Sequence, residues 1–241
     1  MDSFPLLCAR DLRLAGIGQN KIALDLNINT RVGLLGAAGS GKTQLLRTLA
    51  RLDTPQSGTI LWENVKVSRR PRWLLGKRRT LVVLVLSNPY TAFEPWAKVE
   101  HMLTSPRKNE NRIKQLFQTL SLSLVLWNQR VGALSGVQRT TLALARALLN
   151  NPRVLLVDDV FDMLTPEVWP MLVQQIIQGA GTERTVLIAS RHWPVLQSLD
   201  YVFVLKEGDI IESGSPHDLV AYPRHPYTQA LIAQYLEHQK Y

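Results

Sequence analysis

The residues Gly36, Ala37, Ala38, Gly39, Ser40, Gly41, Lys42 and Thr43 fit the spacing G-x-x-x-x-G-K-[ST] at every position. The glycines let the backbone curl until successive N–H groups face one centre. Such a nest, with the positive end of a following helix, holds a phosphate. A lysine at this place reaches β- and γ-phosphate oxygens, and the threonine hydroxyl ligates Mg²⁺, so the segment reads as a loop for ATP with Mg²⁺. A second feature is the pair Asp158-Asp159, directly after the apolar run Val154-Leu155-Leu156-Val157. Asp158 has the character of a Mg²⁺ anchor, and Asp159 that of the carboxylate that polarises an attacking water. The plainer reading is a solvated acidic turn; four apolar residues just before it argue against that.

These groups need elements to hold them. Apolar runs at Val32–Leu35, Leu81–Leu86, Val154–Val157, Thr185–Ala189 and Tyr201–Leu205 read as buried strands. The last closes on Glu207-Gly208-Asp209, a hairpin turn into Ile210-Ile211-Glu212. Helical spacing follows the glycine-rich turn at Gln44–Ala50 and recurs over 138–150 and 166–178. Apolar strands alternating with helices predict an α/β fold with a parallel sheet covered on both faces, and the loop at 36–43 indicates a P-loop NTPase. The stretch from about 96 to 135 is polar and amphipathic without a buried strand, and reads as a helical subdomain inserted into that core.

The bulk properties agree. The chain has 241 residues, 28 Lys+Arg and 19 Asp+Glu, hence a net charge of +9, with 46% hydrophobic residues. That excludes a disordered, collagen-like or coiled-coil chain. One cysteine, Cys8, can form neither an internal disulfide nor a Cys-rich metal site, which fits a reducing compartment. No signal peptide and no transmembrane helix are expected. The positive balance suits nucleic acid, an anionic membrane surface or a nucleotide, and composition does not choose among them.

Taken with Leu134, Ser135, Gly136, Val137 and Gln138, which look like the LSGGQ signature, the loop and the acidic pair resemble the ATP-binding subunit of ABC transporters. Leu142–Leu148 continues as the signature helix of that family does. Asn88-Pro89-Tyr90 with Phe93-Glu94-Pro95, and the tail His225-Pro226-Tyr227-Thr228-Gln229-Ala230-Leu231, resemble dipeptide, oligopeptide and nickel importer ATPases. The resemblance covers nearly the whole chain, 1–241. It implies an ABC ATPase with an antiparallel β region, a helical subdomain at about 88–150 and a short helical tail at about 215–241. It also implies a peripheral place on the cytoplasmic face of a bacterial inner membrane. The implied partners are a second ATPase subunit, two permease subunits and an extracytoplasmic solute-binding protein.

The chain departs from the family pattern where water is activated. The Q-loop glutamine falls on Ser87, too short to reach both Mg²⁺ and the attacking water. The catalytic glutamate falls on Asp159, shorter by one C–C bond of roughly 1.5 Å, and an error of about 1 Å costs about a hundredfold in rate. The switch histidine falls on Arg191, with His192 one place later as the alternative, a one-residue slip that turns the side chain to the other face. Arginine contacts a γ-phosphate but neither accepts a hydrogen bond nor shuttles a proton. Thr165 stands where the D-loop aspartate belongs, and Ile17 is the nearest bulky residue for the adenine. In the signature, Val137 replaces the second glycine. Phosphate-binding groups are thus kept and water-activating groups altered. The expectation is the degenerate half of an asymmetric heterodimer with a paralogous partner, whose site Leu134–Gln138 completes. A fully competent homodimer and a soluble ABC ATPase without membrane partners are the alternatives.

The run Lys66 to Arg79 holds seven of the 28 basic residues and no acidic one. It reads first as a solvated loop and next as a contact for anionic lipid. No nucleic-acid partner is expected, because no stacking platform or nucleic-acid module accompanies the charge. The five histidines are scattered without metal-ligand spacing. Trp127 and Trp169 read as packing residues.

Overall fold

The computed structural model describes residues 5–67, 80–88, 91–103 and 110–238. Most of the basic stretch, from position 68 to 79, and Pro89-Tyr90 of the importer-like segment lie outside the described residues.

Two sheets organise the chain. The first is antiparallel, in the order β2-β1-β4-β5, from β1 (Leu7–Arg13), β2 (Ile22–Leu26), β4 (Ser57–Trp62) and β5 (Val65–Lys66). The second has six strands in the order β10-β9-β3-β8-β7-β6. They are β3 (Arg31–Leu35), β6 (Val82–Val85), β7 (Val154–Asp158), β8 (Thr185–Ser190), β9 (Tyr201–Lys206) and β10 (Asp209–Gly214). All neighbours in it are parallel except the β9–β10 hairpin at one edge. The five apolar runs therefore fall where the sequence places them, and the turn at Glu207–Asp209 is a hairpin.

Those runs are continuous because both faces are covered. Side chains alternate along β7: Val154 and Leu156 join one apolar cluster, Leu155 and Val157 the other. The face of Val154 and Leu156 is covered by a helix together with a second sheet. It packs against α1 (Lys42–Leu49) and the antiparallel sheet, in a cluster with Leu45, Leu46, Leu49, Ile60 and Trp62. The face of Leu155 and Val157 is covered by α4 (Gly136–Leu149), α5 (Trp169–Ala180), α6 (Trp193–Leu196) and part of the C-terminal helix α8 (Pro226–His238), with α7 (Pro216–Ala221) beside it.

Between β6 and β7 lie α2 (Val99–Leu103), α3 (Glu110–Thr119) and two short 3₁₀ turns before α4. This is the helical, strand-poor segment read from its amphipathic pattern. Ile113 and Phe117, one turn apart, are the buried side of α3. Arg146 of α4 lies over the Phe93 ring at 4.2 Å. Trp127 packs edge-on against Phe117, and Trp169 is buried with its Nε1–H donated to Phe161 O and Leu164 O. Both are packing residues, as read.

Trp62 ties the antiparallel sheet to the phosphate-loop helix. Its side chain is fully buried, and its Nε1–H donates to Leu49 O, in the last turn of α1, at 3.1 Å. Trp62→Ala is expected to cost about 3–5 kcal/mol of stability. Trp62→Phe, which keeps most of the burial and loses the bond, should cost about 1 kcal/mol. Urea unfolding midpoints check both, and equal midpoints for the Ala variant and the parent would contradict this role.

Candidate functional site

Parallel strands put their C-terminal ends at one edge of a sheet, and ligands of open α/β sheets sit in the crevice there. Here β3 leads into Gly36, β8 into Arg191, β7 into Asp159 and β6 into Ser87. β8 lies between β3 and β7, so loop and acidic pair are two strand spacings apart, roughly 10 Å. The loop spans that gap by turning into α1.

The turn depends on glycine at two places. Gly41 precedes α1 with φ of 100°, a conformation costly for any other residue. At Gly36 a Cβ would lie 2.4 Å from Ser40 Oγ and 2.6 Å from Leu205 O. From the hairpin, Gly208 N–H donates to Ser40 O at 2.8 Å. Ile17 also leans on the loop, for a Cβ at Gly41 would come within 2.6 Å of its Cδ1.

Lys42 is 4% exposed, yet its ammonium is fully engaged. It donates to Gly36 O at 2.8 Å and Ala37 O at 3.0 Å, and pairs with Asp159 Oδ2 at 3.1 Å. Thr43, the next residue, donates its hydroxyl to Asp158 Oδ1 at 3.1 Å. Asp158 is fully buried, and its Oδ2 has no hydrogen-bond partner among the described residues. A solvated acidic turn is therefore not what stands here. The orphaned oxygen beside a threonine hydroxyl is the donor set a hard divalent cation takes. Residues Thr43 and Asp158 thus fit a Mg²⁺ ion. Burial pushes Asp158 up to about 6, with the Thr43 bond opposing and the Asp159 charge adding to the rise. Asp159 is also raised by burial, against the pull of Lys42.

The other predicted residues gather around this centre. A cleft of about 540 Å³ is lined by Ile17, by Ala38–Gln44, and by Arg47, Asp53, Ser87, Asp159 and Asp162. Arg191 N–H donates to Asp159 Oδ1 at 3.2 Å, and its Nε–H to Asp162 Oδ1 at 3.0 Å. His192 Nε2 lies 2.9 Å from the same Asp162 oxygen, and its ring stacks on Trp169 with centroids 4.3 Å apart. Burial holds the His192 pKa below its ordinary value although Asp162 pulls the other way. Both side chains at the switch position thus end on Asp162.

Asp162 was not singled out from sequence. It stands three residues past Asp159, in a loop whose aspartate was expected at position 165. Its weight comes from the Arg191 guanidinium and the His192 ring converging on it across a strand end. Arg47 and Asp53, paired at 2.7 and 2.8 Å on the wall of the cleft, were also missed.

Leu134–Gln138 do not line this cleft among the described residues. Ser135 caps α4 instead, with Gln138 N–H donating to Ser135 Oγ and Ser135 N–H donating to Gln138 Oε1. That capping box orders the start of α4. No group of three or more metal-ligating residues occurs among the described residues.

Comparison with known proteins agrees with the geometry. A family profile described as ABC transporter matches residues 19–162. A glycine betaine/carnitine transport ATP-binding protein of Listeria monocytogenes is 29% identical over 228 residues, covering 90% of this chain and 57% of that protein. A methionine import ATP-binding protein of Acinetobacter baylyi is 29% identical over 222 residues, covering 88% and 62%. A putative peptide import ATP-binding protein of Brucella ovis is 26% identical over 227 residues, covering 89% and 71%. The chain thus spans less than two thirds of the length of the first two. Among solved structures, a nucleotide-free ATP-binding cassette from an ABC transporter superposes with a TM-score of 0.79 at 19% identity, covering 94% of this chain and 98% of that one. The ATP-bound structure of a bacterial Atm1-family exporter gives 0.81 at 18% identity, covering 97% and 44%. These two carry the fold.

The raised Asp158 sets a pH signature. Between its ordinary 3.8 and about 6, the folded chain binds more protons at this residue than the unfolded chain does. Its contribution therefore favours folding at low pH and is lost as pH rises through about 6. Asp158→Asn should flatten that part of the slope and stabilise the chain near neutral pH by on the order of 2 kcal/mol. Urea unfolding of both proteins on either side of that window checks it; identical slopes would count against it.

Proposed function

The chain belongs to the ABC transporter family, and from that premise we propose that it is the ATP-binding subunit of a bacterial importer for peptides or related solutes, nickel or other metal complexes included. It is the degenerate half of an asymmetric ATPase heterodimer. The relatives named for betaine, methionine and peptide import support the importer class, and the tail at His225–Leu231 supports the peptide and nickel branch.

The observation that carries the degenerate reading is the division of labour in the cleft. Groups that hold phosphate and cation are in place: the loop, Lys42, Thr43 and Asp158. Groups at the water-activating positions are short or otherwise committed. Asp159 is paired with Lys42, Arg191 is tied to Asp162, and Ser87 cannot span the distance a glutamine does. To serve phosphate oxygens, Lys42 exchanges the Asp159 carboxylate for them, which leaves a short carboxylate next to Asp158 and Asp162. A bound Mg²⁺ neutralises phosphate charge, and Thr43 and Asp158 would hold it.

The signature start of α4 lies off the chain's own cleft, which suits a role in completing a partner's site. The proposed assembly is therefore this chain with a paralogous ATPase, two permease subunits and an extracytoplasmic solute-binding protein. It sits peripherally at the cytoplasmic membrane face. No helix among the described residues is long and apolar enough to cross a membrane.

Calorimetric titration of the purified chain should detect MgATP binding, which Lys42→Ala should weaken by at least about tenfold, the loss of one charge-assisted contact. Turnover by the chain alone is expected about a hundredfold below that of the mixture with its partner, the scale of a 1 Å misplacement. Family-level turnover by the chain alone would overturn the degenerate reading and favour the competent homodimer. Asp159→Glu tests the same point, since it restores reach at one of the three altered positions.

A further inference from the structure

The C-terminal helix touches the phosphate loop. Tyr227, in the first turn of α8, accepts a hydrogen bond on its hydroxyl from Ala37 N–H at 2.9 Å, across 190 positions of sequence. That N–H and the carbonyl of Gly36 belong to one peptide unit, which is planar. The Gly36 carbonyl holds the Lys42 ammonium at 2.8 Å. Tyr227 and Lys42 thus grip opposite ends of the same rigid plane.

Tyr227 is itself fixed. Its backbone N–H donates to His225 Nδ1 at 3.0 Å. The turn before it is clamped by Glu212 of β10, whose carboxylate accepts from Arg224 N–H at 2.8 Å and His225 N–H at 3.0 Å. Lys206 of β9 places its ammonium 5.5 Å from the centre of the Tyr227 ring. The ring is partly buried against the large apolar cluster.

Resting on the reading of Gly36–Thr43 as the ATP phosphate loop, we propose that Tyr227 is a positioning residue of that loop. Its hydroxyl sets the plane of the 36–37 peptide, and through the Gly36 carbonyl it aims Lys42. The tail motif that marks this branch of importers thereby reaches into nucleotide binding, and any movement of α8 is felt at the lysine.

The test uses the full chain and Tyr227→Phe, which keeps the ring and its packing and removes only the hydroxyl. Hydrogen exchange resolved to the Ala37 amide, without nucleotide, should speed up about three- to tenfold, the scale of one hydrogen bond. Affinity for MgATP should fall by a similar factor while affinity for adenosine, which lacks phosphate, holds. Tyr235→Phe, on the same helix, should change neither. Unchanged exchange at Ala37 in Tyr227→Phe, or an equal change in Tyr235→Phe, overturns the proposal. If Tyr227→Phe does not fold, exchange in the unaltered chain decides. Ala37 must then be protected relative to the exposed Ala38 and Gly39, and equal rates overturn the proposal. A chain that does not bind MgATP at all would refute the ATP reading, while the exchange arm still judges Tyr227.

Discussion

A buried ammonium cannot be left unpaired, and much of this structure follows from satisfying one. Lys42 lies almost wholly out of water, where an isolated charge would cost several kcal/mol. Two carbonyls of its own loop and the Asp159 carboxylate meet it. That arrangement holds only if the loop curls back over the lysine, if β7 ends beside it, and if the helix that carries it stays docked. The glycines, the parallel register of β3, β8 and β7, and the Trp62 bond to α1 each supply one of these conditions.

The same crowding shapes the acids. Burial raises the cost of ionising Asp158 and Asp159, and the charges of Asp159 and Asp162 add to it at Asp158, as that of Asp162 does at Asp159. Two cations offset this: Lys42, buried, on Asp159, and Arg191 on Asp162. Such a site favours anything that brings positive charge to Asp158 Oδ2, and a divalent cation held on phosphates does so. The overall charge of +9 thus coexists with a local concentration of acid in the cleft. Bulk charge alone therefore says little about the site's own field.

Much of this was legible before any coordinates. The phosphate loop, the acidic pair, the five buried strands and the hairpin at Glu207–Asp209 are local patterns. Their residues are neighbours in sequence, and period-two or period-3.6 spacing together with glycine placement reports them directly. The capping box of Ser135 and Gln138 is equally local, but it was not singled out from sequence. By contrast, the antiparallel sheet that covers one face came only as an implication of the family resemblance, because its strands are short and interrupted by polar residues.

What the tertiary structure decided was which distant groups meet. Asp159 could have faced water; its pairing with Lys42 depends on two strand ends being separated by only one strand. Asp162 is an ordinary loop residue until β8 delivers Arg191 and His192 to it. Tyr227 is an ordinary helix residue until the hairpin carries α8 back to the loop. The sequence by itself determined the chemistry available, since residue type and local spacing set what each group can donate, accept or bind. Only the fold determined how those groups are spent, because a hydrogen bond or an ion pair acts over about 3 Å, whatever the separation along the chain.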